Sequence, residues 1–541
     1  MGSLGPRVRN ADARAGVASP SVGHAPSNSL TRWPAVVAGI GALVLYARCL
    51  APGLTWSHDG ADGGDLLAAA LTQGVPHPTG YPTYQLLLRA AIALFPGEPA
   101  RAGNWLSAVC AAGAAALLAD MALRMLPARP WRGAVALAAA LTWAASPTLW
   151  SQAVITEVYT LHALLVVVLL WLLWRWRESA SVHHAGWPWL AGAGFVFGIG
   201  LGNHLSMVLA LPGVAAWLWT NRPLLKPLRA SGCAAIAGVT LLGLSLYLYL
   251  PVAAMGAPPV NWGDPKTLQG FWWLVSGQLY RNLVLGLGAR DLLARVAAWA
   301  GEASRQFGAG PWGALVAFAG LFWLDRHDHA WWRATLLIGL AYSLYAIGYN
   351  TRDSYVYLIP VWSVAALWLA AGLFWGGQAI TDAGLSRQAL RLLWIPLVLV
   401  LIGLPAFSLV RNWDRMDLSH DHEAQDWVAG ALASADPGGV ILAAGDRTTF
   451  ALWYALYGLK LRPDLTPVNV SLYAYPWYQR ALVNHHSLLA SKAHGGELPS
   501  LEQFVTEVSK ERPVYRAEPM DLDFAIAAEH PAGTLVRIEP K

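Results

Sequence analysis

Long apolar stretches recur along most of the chain, and short polar connections separate them. A helix needs about 20 mostly apolar residues to cross about 30 Å of hydrocarbon. Eleven stretches approach that pattern: 33–50, 104–126, 132–150, 158–176, 187–203, 205–221, 232–254, 310–325, 333–349, 355–377 and 391–410. The pattern predicts a mainly α, polytopic helical membrane protein with about eleven spans.

The two ends of the chain lack this pattern. Residues 1–32 are rich in Gly, Ala, Ser and Pro, and we expect a disordered cytoplasmic tail. Short connections on the same side as the tail are basic, for example around Arg124, Arg175 and Arg222, and such connections favour the cytoplasmic side. An odd number of spans then leaves the long loops 51–103 and 255–309, together with residues 411–541, on the outer face.

Residues 411–541 have the pattern of a water-facing domain. Val440–Ala444 predicts a buried strand, Gly445-Asp446 a turn, Thr448–Lys460 a helix and Pro467–Leu472 a second strand. We therefore expect three parts: the tail 1–32, a transmembrane catalytic domain 33–410, and a small exoplasmic α/β domain 411–541.

Composition agrees with membrane insertion. Of the 541 residues, 56% are apolar and 13% are charged, and the mean hydropathy is +0.40. Soluble proteins average about 25% charged residues, so a soluble globular enzyme is excluded. The net charge of +5 is too small and too scattered for a nucleic-acid binder. The cysteines Cys49, Cys110 and Cys233 lack metal-site spacing, and we interpret them as small buried residues.

Candidate chemistry begins in the first outer loop, where Asp59, Asp62 and Asp65 recur every three residues. On a helix these carboxylates share one face, and such crowding raises at least one pKa, which suits a general base. The alternative is structural: Asp62 would cap a helix, and Asp65 would complete a capping box. His77 follows in the same loop, either as a satisfied loop histidine or as a partner of a phosphate.

Four further polar groups fall at predicted outer ends of spans. Each group also has a structural alternative. The lone carboxylate would cap a helix or form an ion pair, another group would break a helix, and the aromatic residues would form an interfacial belt. One arginine would snorkel to lipid headgroups, and the other would pair with the neighbouring aspartate. The candidate substrate-binding residues are His77, Tyr81, Glu157, Tyr159, His204, Asn261, Trp262, Asp264, Arg281, Arg352 and Asp353. No nucleotide-binding or zinc motif is found in the sequence.

Taken together, these groups resemble one family. The similar segments are Asp62-Gly63-Gly64-Asp65-Leu66, Pro76–Pro82, Trp150–Thr160, Gly200–His204, Asn261–Pro265 and, more weakly, Tyr349–Tyr357. They resemble the protein O-mannosyltransferase-like membrane proteins, formerly a domain of unknown function, of the GT-C glycosyltransferase superfamily. The resemblance covers about residues 35–360.

This resemblance implies a GT-C-like transmembrane domain that moves a sugar, with mannose one candidate, from a polyprenyl-phosphate donor. An acidic residue of the first outer loop would deprotonate an acceptor hydroxyl, and the sugar carbon would be inverted. The family more often has Ser and Glu at the positions of Gly63 and Asp65, and Pro at Thr79, so Asp62 is the stronger candidate base and Asp65 the weaker one. Arg281, Arg352 or His77 would neutralise the leaving phosphate.

The remaining expectations concern partners and location. We expect a protein, glycolipid or polymer acceptor, no nucleic acid, and no required cofactor; a divalent metal is possible, but no residue spacing supports it. The bacterial cytoplasmic membrane, with the active site outside, is the predicted location. The alternative is a secondary transporter or lipid flippase, but transporters usually hold their ionisable sites near the midplane, in repeated halves.

Overall fold

The computed structural model describes residues 32–183, 186–493 and 498–541, so the predicted tail, except for Arg32, lies outside the described residues. The region up to residue 416 is helical. Its helices are α1 (Trp33–Cys49), α2 (Asp62–Thr72), α3 (Pro82–Leu94), α4 (Pro99–Met125), α5 (Arg132–Ala144), α6 (Pro147–Ala153), α7 (Tyr159–His183), α8 (Trp187–Asn203), α9 (Leu211–Thr220), α10 (Ala230–Leu244), α11 (Tyr249–Met255), α12 (Leu268–Val275), α13 (Ala289–Arg305), α14 (Pro311–His327), α15 (His329–Gly348), α16 (Ile359–Asp382) and α17 (Arg387–Met416).

Within the described residues, five helices are long and apolar enough to cross a membrane, or six if α5 and α6, bent by 65°, form one broken span. The five are Pro99–Met125, Tyr159–Ser181, Ala230–Met255, Ser354–Asp382 and Arg387–Met416. Trp33–Cys49 and Leu205–Thr220 are shorter apolar helices. The membrane character is thus supported, while the number of about eleven spans stays a prediction.

Local sequence signals explain several helix starts. Proline occupies the first helical position of α3, α4, α6 and α14, where its missing N–H leaves no hydrogen bond unmade. Glu98 caps α4 by accepting the N–H of Arg101 at 2.8 Å, and Asp328 caps α15 by accepting that of Trp331 at 3.1 Å. These caps define where the long helices begin.

Small residues let the helices α14 and α16 approach closely. A Cβ atom added to Gly320 would lie 1.8 Å from the carbonyl oxygen of Trp368, and one added to Gly372 would lie 2.1 Å from that of Val316. Both distances are far inside van der Waals contact, so the two backbones pack directly on each other. Close backbone approach at small residues is a common basis of helix association in membranes.

The C-terminal part forms an α/β unit. Its helices are α18 (Glu423–Ser434), α19 (Asp446–Trp453), α20 (Pro476–His485), α21 (Ser487–Lys492) and α22 (Leu501–Val508). Its strands are β1 (Val440–Ala443), β2 (Thr466–Asn469), β3 (Val514–Arg516), β4 (Ile526–Ala532) and β5 (Leu535–Pro540), in the order β2-β1-β3-β5-β4. β1 pairs in parallel with β2 and β3, with Val440 opposite Thr466 and Val514, and β5 pairs antiparallel with β3 and β4.

The predicted strands are therefore present, each shorter than expected, and the predicted helix begins two residues earlier, at Asp446. The boundary predicted between 410 and 411 lies inside α17, which continues to Met416. Apolar residues end near 410, but the charged residues that follow are compatible with helix, so hydropathy alone placed the end too early.

Helix α19 holds this unit against the first loop. A Cβ atom added to Gly64 of α2 would lie 2.6 Å from the carbonyl oxygen of Phe450, so the two backbones are in direct contact. One turn further, the Tyr454 hydroxyl donates to Glu98 at 2.5 Å. The beginnings of α2 and α19 thereby come together.

One expectation about the cysteines is wrong. Cys49 and Cys110 are buried, but Cys233 is exposed. It lies on α10, within a segment of which only 11% is buried against protein. The apolar residues that flank Cys233 in the sequence therefore indicate a surface suited to lipid rather than a protein core.

The α14–α16 contact can be tested with alanine. Gly320→Ala should lower the thermal unfolding temperature of the purified protein, because the added Cβ forces the helices apart; overpacking of this kind costs about 1–3 kcal/mol. Gly403→Ala is the matched control, since no atom lies within 4 Å of its added Cβ, and helix propensity alone should leave it equal or more stable. Equal unfolding temperatures for the two variants would contradict the packing described.

Candidate active site

The two candidate carboxylates lie in the first turn of α2. Asp62 is the first residue of this helix, and its side chain accepts no hydrogen bond from a capping N–H, so the capping-box alternative is not observed. The Asp62 side chain is 35% exposed, whereas that of Asp65 is fully buried. Only Asp62 is therefore open to a substrate.

Asp65 is held by three hydrogen bonds. Its Oδ2 accepts the backbone N–H of His77 and contacts His77 Nδ1, both at 2.8 Å, and its Oδ1 accepts the indole N–H of Trp262 at 3.0 Å. Both carboxylate oxygens are therefore occupied. This arrangement suits a positioning role for Asp65 better than the predicted catalytic one.

His77 lies between the two carboxylates. Its Nε2 is 3.5 Å from Asp62 Oδ2, while its Nδ1 faces Asp65. Burial alone lowers the pKa of His77, but the nearby charges of Asp62 and Asp65 outweigh it and raise that pKa to about 9. At neutral pH the histidine is a cation that is fixed by Asp65 and faces Asp62.

Further carboxylates surround Asp62. Burial raises the pKa of Asp62, His77 opposes this rise, and the negative charges of Asp446 and Asp353 add to it, so that the pKa is about 6. Burial and Asp62 likewise raise the pKa of Glu157 well above its usual range. The predicted residues Glu157 and Asp353 therefore belong to one acidic cluster with Asp62, in the sense that their charges act on one another.

Aromatic rings surround His77 and His204. The ring of Tyr81 lies 5.0 Å from that of His77 and 6.0 Å from that of His204. Tyr159 and Tyr357 lie 5.7 and 5.5 Å from His204. The Ser206 backbone N–H donates to His204 Nδ1 at 3.1 Å, which leaves Nε2 of a neutral His204 to carry the proton. Flat rings with a few polar atoms are typical of sites that bind amphiphilic ligands.

The predicted residues of the segment Asn261–Pro265 have different positions relative to the site. Trp262 joins the site through Asp65, as described. Asn261 instead donates to Asp264 at 3.1 Å, and Asp264 forms ion pairs with Lys266 and Arg480, the latter on α20. These two residues connect the loop to the C-terminal unit rather than contact Asp62.

The two arginines that were predicted as phosphate ligands, Arg281 and Arg352, are exposed. Neither guanidinium has a carboxylate within 4.0 Å in the described part of the chain, so the expected alternative of an Arg352–Asp353 ion pair is not observed. The loop before Ser354 is held by Arg295, which donates to the Ser354 hydroxyl at 2.8 Å.

Sequence reasoning missed two residues of the site, both on α19. Asp446 adds charge beside Asp62, and the Phe450 ring lies parallel to that of His77 at 6.2 Å. The sequence pattern placed Asp446 in a turn and gave it no role in the site. A usable signal was present, because Asp446 lies three residues after the end of the buried strand β1, and α/β folds commonly place functional residues there.

Comparisons with known proteins bear on this site. Residues 62–225 match the family model described as "Protein O-mannosyl-transferase TMEM260 N-terminal domain". The chain is 27% identical over 492 residues to protein O-mannosyl-transferase TMEM260 of Mus musculus, covering 86% of this chain and 67% of that protein. The resemblance predicted from the sequence is confirmed.

A second member of that family, from Dictyostelium discoideum, is 22% identical over 531 residues, which cover 88% of this chain and 62% of that protein. The chain therefore spans about two thirds of the length of these relatives. Both come from eukaryotes, so they lend no support to the predicted bacterial location.

Solved structures support the fold. ArnT from Cupriavidus metallidurans in the apo state has a TM-score of 0.59 at 12% identity, over 94% of this chain and 98% of that chain. The same enzyme bound to undecaprenyl phosphate has a TM-score of 0.55 at 13% identity, over 94% and 97%. Together the comparisons support a glycosyltransferase with the fold of ArnT.

The matched segment contains Asp62, Asp65, His77 and Glu157, whereas Asp446 lies outside it.

The contact of Asp65 with His77 can be tested directly. Asp65→Asn should lower the pKa of His77, because it removes a negative charge that favours the imidazolium. Histidine-labelled protein would report the titration by NMR, with His77→Gln assigning the signal.

Asp59→Asn is the control, since Asp59 accepts a hydrogen bond from Tyr355 rather than from His77. Its effect on the His77 titration should be much smaller. A His77 pKa that is unchanged in Asp65→Asn would disprove the electrostatic pairing.

Proposed function

We propose that the protein transfers a sugar from a polyprenyl-phosphate donor to a hydroxyl acceptor, with Asp62 as the general base. One observation carries the proposal: Asp62 is the accessible carboxylate of this acidic cluster, and Nε2 of His77, whose other ring nitrogen is held by the buried Asp65, lies 3.5 Å from its Oδ2. An accessible, partly desolvated carboxylate is what proton abstraction from a hydroxyl requires.

The reaction balances in one displacement. Asp62 takes the proton of the acceptor hydroxyl, whose oxygen forms a bond to the anomeric carbon. The bond from that carbon to the phosphate oxygen breaks, and the electron pair leaves with the polyprenyl phosphate. Attack opposite to the leaving group inverts the carbon, as the resemblance implies.

The pKa of about 6 suits this role. Asp62 is still ionised at pH 7, yet it is a stronger base than an ordinary aspartate, and catalytic efficiency rises when the pKa lies near the working pH. The His77 cation keeps Asp62 from binding a proton too early. Asp65 acts as a positioning residue through His77.

The leaving phosphate needs positive charge. Arg281 and Arg352 remain candidates, because both are exposed and neither has an ion pair with another described residue that would have to break. A second candidate is a cavity of about 410 Å³ that Arg305, Arg411 and Arg415 line together with His58. Arg305 is already paired with Glu302, which leaves Arg411 and Arg415 as the stronger ligands there.

The orientation of the molecule supports an outer-face site. Asp62, Glu157 and Tyr349 lie near one end of the bundle. At the other end of α4 and α7, Arg124 and Arg177 pair with Glu178 and Asp328. Positive charge favours the cytoplasmic side, so the catalytic end would face outward. A site at one end of the bundle also favours a transferase over a transporter, whose sites usually lie near the midplane.

The donor, acceptor, metal dependence and membrane belong to this proposal. ArnT in its second structure is bound to undecaprenyl phosphate, which makes a polyprenyl carrier the first donor to try. The relatives named as O-mannosyl-transferases make mannose the first sugar and a protein hydroxyl the first acceptor. We retain the prediction that no metal is required, with a chelator as its test.

Asp62→Asn should lower sugar transfer about a hundredfold to ten-thousandfold while leaving donor binding intact, because it removes only the base. Membranes containing the wild type or the variant would receive radiolabelled polyprenyl-phosphate mannose, glucose or arabinose, and the label in acceptor material would be counted. Asp291→Asn, an exposed aspartate on α13, is the matched control. Transfer by Asp62→Asn at the wild-type rate would exclude Asp62 as the base; no transfer from any donor by the wild type would exclude a polyprenyl-phosphate donor of these sugars.

The rate should depend on pH with an acidic limb. It should fall below about pH 6, where Asp62 becomes protonated. His77→Gln removes a positive charge, so the pKa of Asp62 should rise and the acidic limb should move to higher pH. Asp446→Asn removes a negative charge and should move that limb to lower pH. Shifts in the same direction, or none, would contradict the electrostatic description.

A further inference from the structure

A second cavity lies at the far end of α2. It has a volume of about 980 Å³ and separates α2, α3 and α11 from the C-terminal unit. Its lining includes Leu71 and Thr72, the last residues of α2, whereas Asp62 is the first. At about 1.5 Å per helical residue, roughly 15 Å separates the two ends, so this cavity is distinct from the site around Asp62.

Five of the residues that line the cavity are the aliphatic residues Leu71, Leu86, Val252, Leu456 and Leu465, and we call them its apolar wall. Val252 and Leu86 have 64% and 37% of their side chains exposed. Val252 belongs to the segment Ala230–Met255, which is apolar and only 11% buried. A hydrocarbon chain lying along the bundle can therefore enter the cavity without crossing water.

The charged residues of the lining are basic. None of the lining residues is Asp or Glu, while Arg89, Lys460 and Arg462 all contribute. Arg462 is neutralised by Asp464 through bonds of 2.8 and 2.7 Å. Arg89 and Lys460 have no carboxylate within 4.0 Å in the described residues, so two positive charges face the cavity uncompensated.

The lining also includes the histidines His485 and His486. Burial lowers the pKa of His486 to about 4, and its Nε2 contacts the Tyr457 hydroxyl at 3.0 Å, so this ring is neutral at pH 7. His485 Nε2 contacts the carbonyl oxygen of Ala257 at 2.7 Å, which connects α20 to the loop after α11. The cavity is thus closed on one side by a bond between the two parts of the molecule.

We propose that this cavity binds an anionic phospholipid of the surrounding bilayer, with its phosphate between Arg89 and Lys460 and one acyl chain along the apolar wall. The charges are complementary to a lipid phosphate, and phosphate contacts by Arg and Lys are charge-assisted hydrogen bonds. An inorganic phosphate would leave the apolar wall empty. Bound there, the lipid ties the C-terminal unit to the membrane surface beside α2.

Lipid retention tests the proposal without any sugar-transfer assay, so it is independent of the proposed function. Full-length protein in neutral detergent would be mixed with phosphatidylglycerol or phosphatidylcholine and examined by native mass spectrometry. The wild type should retain phosphatidylglycerol in preference to phosphatidylcholine. The double variant Arg89→Gln/Lys460→Gln should weaken that retention roughly tenfold or more, because it removes both charged contacts.

Two controls make the outcome decisive. Arg290→Gln/Arg326→Gln removes two exposed charges elsewhere and should retain the lipid as the wild type does. Val252→Gln should weaken retention through the apolar wall, whereas Leu242→Gln, exposed on α10 but outside the lining, should not. All variants should keep the wild-type unfolding temperature in detergent.

Three results would overturn the proposal. They are equal retention of phosphatidylglycerol by the Arg89/Lys460 double variant and the wild type, equal retention of the two lipids by the wild type, and displacement of the lipid by low millimolar inorganic phosphate. The last result would show a plain anion site rather than a lipid site.

Discussion

Asp65 is a carboxylate removed entirely from solvent, and the hydrogen bonds that it accepts are what make its burial tolerable. An unpaired buried charge is costly, whereas one whose oxygens all have donors is stable and rigid. Two of these bonds come from His77, so the same interaction that stabilises Asp65 fixes the imidazole. The position and charge of His77 then determine the environment of Asp62. The environment of Asp62 thus depends on Asp65, although Asp65 itself is closed to solvent and to any substrate.

The second requirement is contact between α2 and α19. Gly64 allows the Phe450 backbone to approach α2, and this contact brings the Phe450 ring beside His77 and the Asp446 carboxylate beside Asp62. The charges on Asp62 are therefore set from two sides: the His77 cation from the first loop and the Asp446 anion from the C-terminal unit. Because these two effects oppose each other, a change in either the first loop or the C-terminal unit would alter the pKa of Asp62.

Much of this could be predicted from the sequence, and the exceptions have physical reasons. The apolar stretches predicted the helices, and the spacing of Asp62 and Asp65 predicted the start of α2, because both patterns are local. Asp59 was wrongly expected on the same helical face: it precedes α2 with a φ of 60°. The pairing of Asp65 with His77 was not predicted, since it depends on how the loop after α2 folds back. Asp446 was missed because nearly four hundred residues separate it from Asp62, and only tertiary packing brings them together. Asn261 and Asp264 were assigned to the site because they share a motif with Trp262, but of these three only the indole reaches Asp65.

The position of Asp446 and Phe450 on α19 has a consequence for how this molecule can be rebuilt. A chimera that exchanged the whole C-terminal unit for that of another protein would also exchange Asp446 and Phe450, and with them one of the charges that act on Asp62. Grafts that retain α19 and replace only the strands and helices beyond it would leave both residues in place. A junction that lies after Trp453 therefore keeps the electrostatic surroundings of Asp62 that α19 supplies.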